Sequence, residues 1–142
     1  MVSYFFEDIE FKYGGRRITN AWLREVAEGE SCRLGDINII FCSDTYLLDI
    51  NLQYLGHNYY TDIITFDYSE KPVVSGDLFI SIDTVRANAE FYGTSFDEEL
   101  HRVIVHGLLH LIGFDDHSEE DSALMRQMEN KSLDLRRCML DK

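Results

Sequence analysis

The sequence predicts an α+β fold with α/β-type layers, in which a small mixed four-stranded sheet is packed with about five helices. Segments rich in β-branched and aromatic residues alternate with longer segments of helical periodicity, in the order β-α-β-α-β-β-α-α-α. The 142 residues include a single proline, and we find no low-complexity segment, internal repeat or linker. We therefore predict one domain over residues 1–142.

The first strand and the first helix are predicted from aromatic content and from one apolar face. Ser3 to Tyr13 is aromatic-rich with partial alternation, which is typical of a strand. Thr19 or Asn20 can cap a helix that runs to about Glu28. The apolar face of that helix is predicted to contain Trp22, Leu23 and Val26.

The second strand and the second helix follow directly on one another. Asp36 to Cys42 alternates and is β-branched, so it predicts a strand, with Cys42 as a small core residue. Ser43 and Asp44 then cap a helix from about Tyr46 to Leu55.

Two strands and a third helix are predicted next. The strands are Ile63 to Asp67 and Gly76 to Ser81, joined by a turn around Pro72. Asp83 opens a helix that ends near Gly93, a typical C-terminal glycine.

Two capping boxes predict the last two helices. Ser95 to Glu98 precedes a helix that runs to about Gly113, and Ser118 to Asp121 precedes the final helix. Arg136 lies near the end of that helix, where the dipole favours a cation. The inward residues of the final helix are predicted to be Leu124, Met125, Met128 and Leu135.

Composition and charge limit the classes of function. The formal net charge is -13, from 26 acidic and 13 basic residues, which opposes non-specific binding to nucleic acid. No apolar run reaches the ~18 residues that a membrane span needs, and we expect no signal peptide. Three cysteines without CxxC spacing predict reduced thiols and a cytoplasmic location.

One segment predicts a metal site. His106 and His110 lie four residues apart on a predicted helix, so their imidazoles share one face and can bind one ion. Gly113 allows the helix to end and the chain to turn back. That return can bring either Asp116 or His117 to the same ion. His57 and His101 do not belong to such a spaced group of potential ligands and are interpreted as surface or capping residues.

Three protein ligands would leave a fourth position for water, which is typical of a catalytic zinc rather than a structural one. Zinc lowers the pKa of its bound water to roughly 7 and so supplies a nucleophile at neutral pH. The common metallopeptidase motif has a glutamate directly after the first histidine, whereas this chain has Gly107. A peptidase by that mechanism is therefore disfavoured.

The chain resembles the YbeY family of bacterial endoribonucleases. The resemblance rests on the histidine segment together with Asn51 to Tyr54, Thr61 to Phe66, Gly76-Asp77 and Glu99-Leu100. It implies one Zn²⁺ ion and single-strand-preferring cleavage of RNA in the cytoplasm, within rRNA maturation and ribosome quality control. The implied partners are single-stranded RNA and components of the small ribosomal subunit, with neither DNA nor a membrane. His106, His110 and Asp116 would then be the catalytic residues.

Two departures from the family pattern concern the site. The third histidine of the family falls at Asp116, and His117 is one residue further on. Met125 lies nine residues after Asp116, the spacing at which the family has a methionine, so we favour Asp116 as third ligand with His117 as the alternative. Where the family usually has an arginine, this chain has Leu55.

The leucine leaves the charge of a cleaved phosphate without its usual cation. His57, Arg86 or Arg102 could substitute for it, or nuclease activity could be weak. Two alternatives to the nuclease follow: a non-catalytic ribosome-assembly factor with a structural or vestigial metal, and a metallopeptidase-like hydrolase.

Overall fold

Four strands form one mixed sheet in the order β1-β2-β4-β3. The computed structural model describes residues 1–141. Its strands are β1 (Val2–Phe6), β2 (Arg33–Cys42), β3 (Ile63–Asp67) and β4 (Val73–Ser81). β1, β2 and β4 are parallel, whereas β3 is antiparallel to β4. The predicted small mixed sheet is confirmed.

Helices occupy most of the remaining chain. They are α1 (Arg16–Gly29), α2 (Asp44–Ile50), α3 (Ile82–Tyr92), α4 (Phe96–Ile112) and α5 (Glu119–Leu140), and a π-helical turn, Asn51–Leu55, continues α2. The element order and the α+β class agree with the prediction. No helix in residues 1–141 combines the length and the apolar character that crossing a membrane requires.

Serine side chains begin most of these helices. The hydroxyls of Ser43, Ser81, Ser95 and Ser118 each accept a hydrogen bond from the backbone N–H three residues further on. Each bond satisfies a donor that the first helical turn would leave unpaired. The predicted caps at Ser43, Ser95 and Ser118 are confirmed, because this interaction is local in sequence.

The sheet separates two hydrophobic clusters of different size. The larger lies between the sheet and α1, α4 and α5, and includes Ile37, Ile39 and Phe41 of β2. The smaller lies on the other face, where Cys42 and Ile64 pack with Leu47 of α2. Because side chains alternate along a strand, β2 contributes to both faces.

Several predicted boundaries and faces are wrong. β1 ends at Phe6 rather than Tyr13, and the side chain of Tyr13 joins the main core. α1 begins at Arg16 and is preceded by Gly15 at the N-cap position, which makes no side-chain hydrogen bond, so neither Thr19 nor Asn20 caps the helix. The helix predicted to Leu55 changes to π-helical geometry at Asn51.

The inward face of α5 also differs from the prediction. Leu124 is exposed, whereas Met125 and Leu133 are buried. Met128 and Leu135 are partly buried against the core, as predicted.

Candidate metal centre

The centre is positioned by the close approach of α4 to the sheet. A Cβ atom at Gly107 would lie 2.8 Å from side-chain atoms of both Ile63 in β3 and Leu78 in β4. Only a glycine therefore allows the helix to pack at this distance without moving its neighbours. His106 and His110 lie on either side of this contact in sequence and line one cleft together with residues of β3.

Three side chains meet at the C-terminal end of α4. The Nε2 atoms of His106 and His110 are 3.1 Å apart. Asp116 places Oδ2 3.7 Å from Nε2 of His106 and Oδ1 3.8 Å from Nε2 of His110. Their potential ligand atoms all lie within 4.8 Å of one another. Gly113 ends α4 with a φ of 130°, and the chain returns from there to bring Asp116 back to the helix.

This donor set fits a zinc ion. Ligand bonds of about 2.0–2.1 Å in tetrahedral geometry would place two zinc ligands about 3.3 Å apart. The two nitrogens are 3.1 Å apart, which is close to that value, and each has a different oxygen of Asp116 at 3.7 or 3.8 Å, slightly further away. Two imidazoles and one carboxylate are also a common catalytic zinc set, and all three side chains are partly exposed, which leaves room for a water ligand.

Glu129 of α5 orients one of the imidazoles. Its Oε2 lies 2.7 Å from Nδ1 of His106. Burial raises the pKa of Glu129, but the hydrogen bonds and charges of His106 and Arg102 together outweigh it and lower the net pKa, so the carboxylate is ionised and accepts. His106 therefore donates from Nδ1 and presents the lone pair of Nε2 towards His110 and Asp116. Metal-binding histidines generally have such a carboxylate partner.

The two imidazoles differ in their electrostatic surroundings. Burial lowers the pKa of His106, but the hydrogen bond and charge of Glu129 outweigh burial, and the net pKa is raised. Burial and the neighbouring His106 lower the pKa of His110. Two protonated rings at this distance would repel one another. A metal ion that binds both rings in place of the protons would remove that repulsion.

His117, the alternative third ligand, lies outside this group. Its side chain is 83% exposed, and its Nε2 lies 4.0 Å from Oδ1 of Asp115. Among the residues that the structure describes, the metal-binding group contains His106, His110 and Asp116.

Two clefts meet at the centre and share Asp62, His106 and Asp116 in their walls. The first, of about 340 Å³, is here called the arginine cleft; its other walls include Asn88, Tyr92, Glu99, Arg102 and Arg126. The second, of about 610 Å³, is here called the aromatic cleft; its other walls include Leu55, His57, Tyr59, Thr61 and His110.

Two carboxyls in these walls have a raised pKa. Burial raises the pKa of Asp62, although the charge of His106 opposes it. Burial likewise raises the pKa of Glu99, against the opposing charge of Arg102. Both groups therefore hold a proton more readily than an exposed carboxyl does.

The three candidate substitutes for the cation absent at Leu55 lie in different places. Arg102 lines the arginine cleft and donates to Oε1 of Glu129 at 3.0 Å. His57 lines the aromatic cleft beside Leu55. Arg86 lies over the ring of Phe96, in neither wall.

Sequence reasoning missed Glu129 and misplaced His101. Glu129 occurs four residues after Met125 and four before Leu133, so an acid on the apolar face of α5 was the available signal. His101 is buried rather than at the surface: its Nε2 pairs with the Tyr13 hydroxyl at 2.7 Å and its Nδ1 with the carbonyl of Asp97 at 2.6 Å.

Comparison with known proteins finds similarity over nearly the whole chain. A model of the family described as Endoribonuclease YbeY matches residues 7–136. A protein of Parabacteroides distasonis named Endoribonuclease YbeY is 49% identical over 132 residues, which cover 93% of either chain. A protein of the same name from Bacteroides thetaiotaomicron is 50% identical over 135 residues, 95% of this chain and 98% of the relative.

The fold is similar to that of a solved structure. The solution structure of a Thermotoga maritima protein superimposes with a TM-score of 0.68 at 27% sequence identity. The match covers 96% of this chain and 89% of the other.

Proposed function

The chain belongs to the YbeY family of endoribonucleases, and from that premise we propose that it hydrolyses phosphodiester bonds of single-stranded RNA with one zinc ion. The observation that supports this most is the convergence of His106, His110 and Asp116 at the junction of two open clefts. A strand of RNA can cross such a junction with one nucleotide on each side of the ligands.

His106, His110 and Asp116 would hold the ion through Nε2, Nε2 and a carboxylate oxygen. When bound, zinc lowers the pKa of a coordinated water to about 7 and withdraws charge from a phosphate oxygen. Glu129 keeps the proton of His106 on Nδ1, so that Nε2 remains free to bind.

Other residues of the two clefts would handle protons and charge. Asp62 lines both clefts, and its raised pKa suits a carboxylate that accepts the proton of the attacking water. Arg102 and Arg126 provide positive charge in the arginine cleft, whereas Leu55, in the aromatic cleft, provides none. Arg102 is held in place by Glu129 and can therefore stabilise phosphate charge without reorganising.

The biological setting is part of the same proposal. The substrate is ribosomal RNA during its maturation and quality control, with small-subunit components as partners, in the cytoplasm. Family membership supports this setting, and the three cysteines are free, as expected for reduced thiols.

Elemental analysis and RNA digestion test the proposal together. We expect about one zinc per purified chain, and we expect His106→Ala and His110→Ala to lose both zinc and cleavage of a single-stranded oligoribonucleotide. Unchanged zinc content in both variants would refute the ligand assignment. Zinc-loaded protein that binds ribosomal particles but leaves RNA intact would support the assembly-factor alternative.

Substituting Asp116 and His117 separately shows which of them is the third zinc ligand. Asp116→Ala should weaken zinc binding, because it removes the only carboxylate of the described metal-binding group. His117→Ala should leave zinc binding unchanged, because that side chain extends into solvent. The reverse pattern would assign the third ligand to His117. Competition with a chromophoric chelator measures both affinities.

The peptidase alternative meets a steric obstacle. Its motif places a glutamate at the position of Gly107, where even a Cβ atom would lie 2.8 Å from Ile63 and Leu78. Chelator-sensitive cleavage of unstructured peptides would be needed to revive that alternative.

A further inference from the structure

The aromatic cleft contains a paired ring system beside the candidate metal centre. The rings of His57 and Tyr59 lie nearly parallel, at 17°, with centroids 5.1 Å apart. The Tyr59 hydroxyl pairs with Nδ1 of His57 at 3.0 Å. Tyr59 is nevertheless 56% exposed, so the ring pair has a free surface in the wall that also contains His110.

Asn51 fixes the position of this ring pair. Its side chain is 2% exposed and donates from Nδ2 to the carbonyl of Tyr59 at 2.9 Å. Its own carbonyl accepts from the backbone N–H of His57 at 3.1 Å. Gly56 turns the chain with a left-handed φ of 68° just before. The π-helical turn that begins at Asn51 therefore holds both rings at defined positions.

The charge of the aromatic cleft opposes phosphate. Its described walls contain four aspartates, Asp62, Asp67, Asp115 and Asp116, and neither lysine nor arginine. The walls of the arginine cleft also contain four carboxyls, two of which they share with the aromatic cleft, but they add the two cations Arg102 and Arg126. The uncharged part of a nucleotide is its base, and a base stacks on any aromatic surface.

We propose, building on the nuclease function, that the aromatic cleft is a subsite for one unpaired nucleobase, which stacks on the His57–Tyr59 pair next to the cleaved phosphate. Its volume of about 610 Å³ lies within the usual range for small-molecule sites. A base can enter only if it is unstacked from its neighbours, so the subsite selects flexible single strands. Stacking also supplies affinity that a chain of net charge -13 cannot obtain from phosphates alone.

The test uses zinc-loaded protein and a series of short single-stranded oligoribonucleotides, each of which carries 2-aminopurine at a different position. The fluorescence of 2-aminopurine falls when it stacks, and it is read on mixing, before cleavage. We expect quenching at one position beside the cleavage site. Tyr59→Ala should abolish that quenching and raise KM for cleavage about tenfold, with kcat little changed. Tyr59→Phe should retain both.

Tyr60 provides the matched control. It is 63% exposed and adjacent in sequence but does not line the aromatic cleft, so Tyr60→Ala should behave as the wild type. Zinc content and the urea unfolding midpoint show whether each variant is folded. If Tyr59→Ala does not fold, Tyr59→Leu removes the ring and retains apolar bulk.

The outcomes separate this subsite from the nuclease function itself. Normal cleavage with equal quenching by wild type and Tyr59→Ala would overturn the subsite and leave the nuclease intact. Equal losses in Tyr59→Ala and Tyr60→Ala would overturn it too, since the effect would not belong to the cleft. Wild-type protein that neither binds nor cleaves the RNA would overturn both.

Discussion

At the scale of single residues, Glu129 has the largest number of consequences for the site. One buried carboxylate accepts from His106 at Oε2 and from Arg102 at Oε1. It also lies 3.7 Å from Arg126. The carboxylate of Glu129 thus fixes the tautomer of His106, a candidate ligand, and also the position of the Arg102 guanidinium.

Removing the charge of Glu129 should weaken zinc binding without removing a ligand. For Glu129→Gln we expect an affinity about 10- to 100-fold lower, because the basicity and orientation of His106 depend on its carboxylate partner. Chelator competition measures the change. Glu90→Gln, which alters an exposed carboxylate of α3, serves as control. Equal affinities in the two variants would show that His106 needs no partner.

The buried His101 should make stability depend on pH. Burial, aided by the charge of Arg136, lowers the pKa of His101 to about 4. In the unfolded chain its pKa is about 6.5. As pH falls from 6.5 to 4, the unfolded chain binds a proton that the folded chain refuses, so this contribution to the free energy of unfolding is complete above 6.5 and declines below it.

Urea unfolding at pH 7.5 and 5.0 measures this dependence. Wild type should lose about 2 kcal/mol more between the two conditions than His101→Gln does, given about 1.4 kcal/mol for each pH unit. His57→Gln, which changes an exposed histidine, should follow the wild type. Parallel pH profiles for wild type and His101→Gln would contradict the role assigned to burial.

At the scale of elements, the contact of α4 with β3 and β4 determines where the histidines lie. We expect Gly107→Ala to destabilise the fold by up to about 2 kcal/mol. Overpacking costs about 1–3 kcal/mol, and alanine regains about 1 kcal/mol of helix propensity. Gly29→Ala in α1 meets no atom within 4 Å and should be neutral or stabilising. Urea midpoints of both variants, with zinc affinity, test this; a Gly107→Ala protein more stable than wild type would contradict it.

Local interactions explain which elements could be predicted from sequence. The serine caps and the histidine spacing in α4 involve neighbours three or four residues apart, and the sequence shows them directly. Glu129 meets His106 across 23 residues and two helices. That contact depends on how α5 docks on α4, which no local pattern specifies.

The same distinction explains the wrong predictions. His101 is buried because Tyr13, distant in sequence, folds back to meet it. Leu124 has the hydrophobic character of an inward residue, but the rotation of α5 places Met125 and Glu129 against the core instead. Tertiary packing decided both cases.

At the scale of the whole molecule, charge is distributed unevenly around the site. The chain carries net charge -13, yet the arginine cleft contains two guanidinium groups. Phosphate contacts should therefore be few, and bases should contribute much of the affinity for RNA.

Salt dependence of RNA binding measures this balance. Two phosphate contacts predict a slope of about -1.4 for the logarithm of the association constant against the logarithm of salt concentration, at about 0.7 per contact on a single strand. Arg126→Gln should make the slope shallower by about 0.7. A slope of about -4 or steeper would indicate a basic surface elsewhere on the protein.

The attachment of Glu129 to the last helix has a consequence for the order of assembly. During synthesis, His106, His110 and Asp116 leave the ribosome before α5 is complete, so a nascent chain has every proposed ligand but lacks the carboxylate that aligns His106. Tight capture of the ion must then await docking of the C-terminal helix.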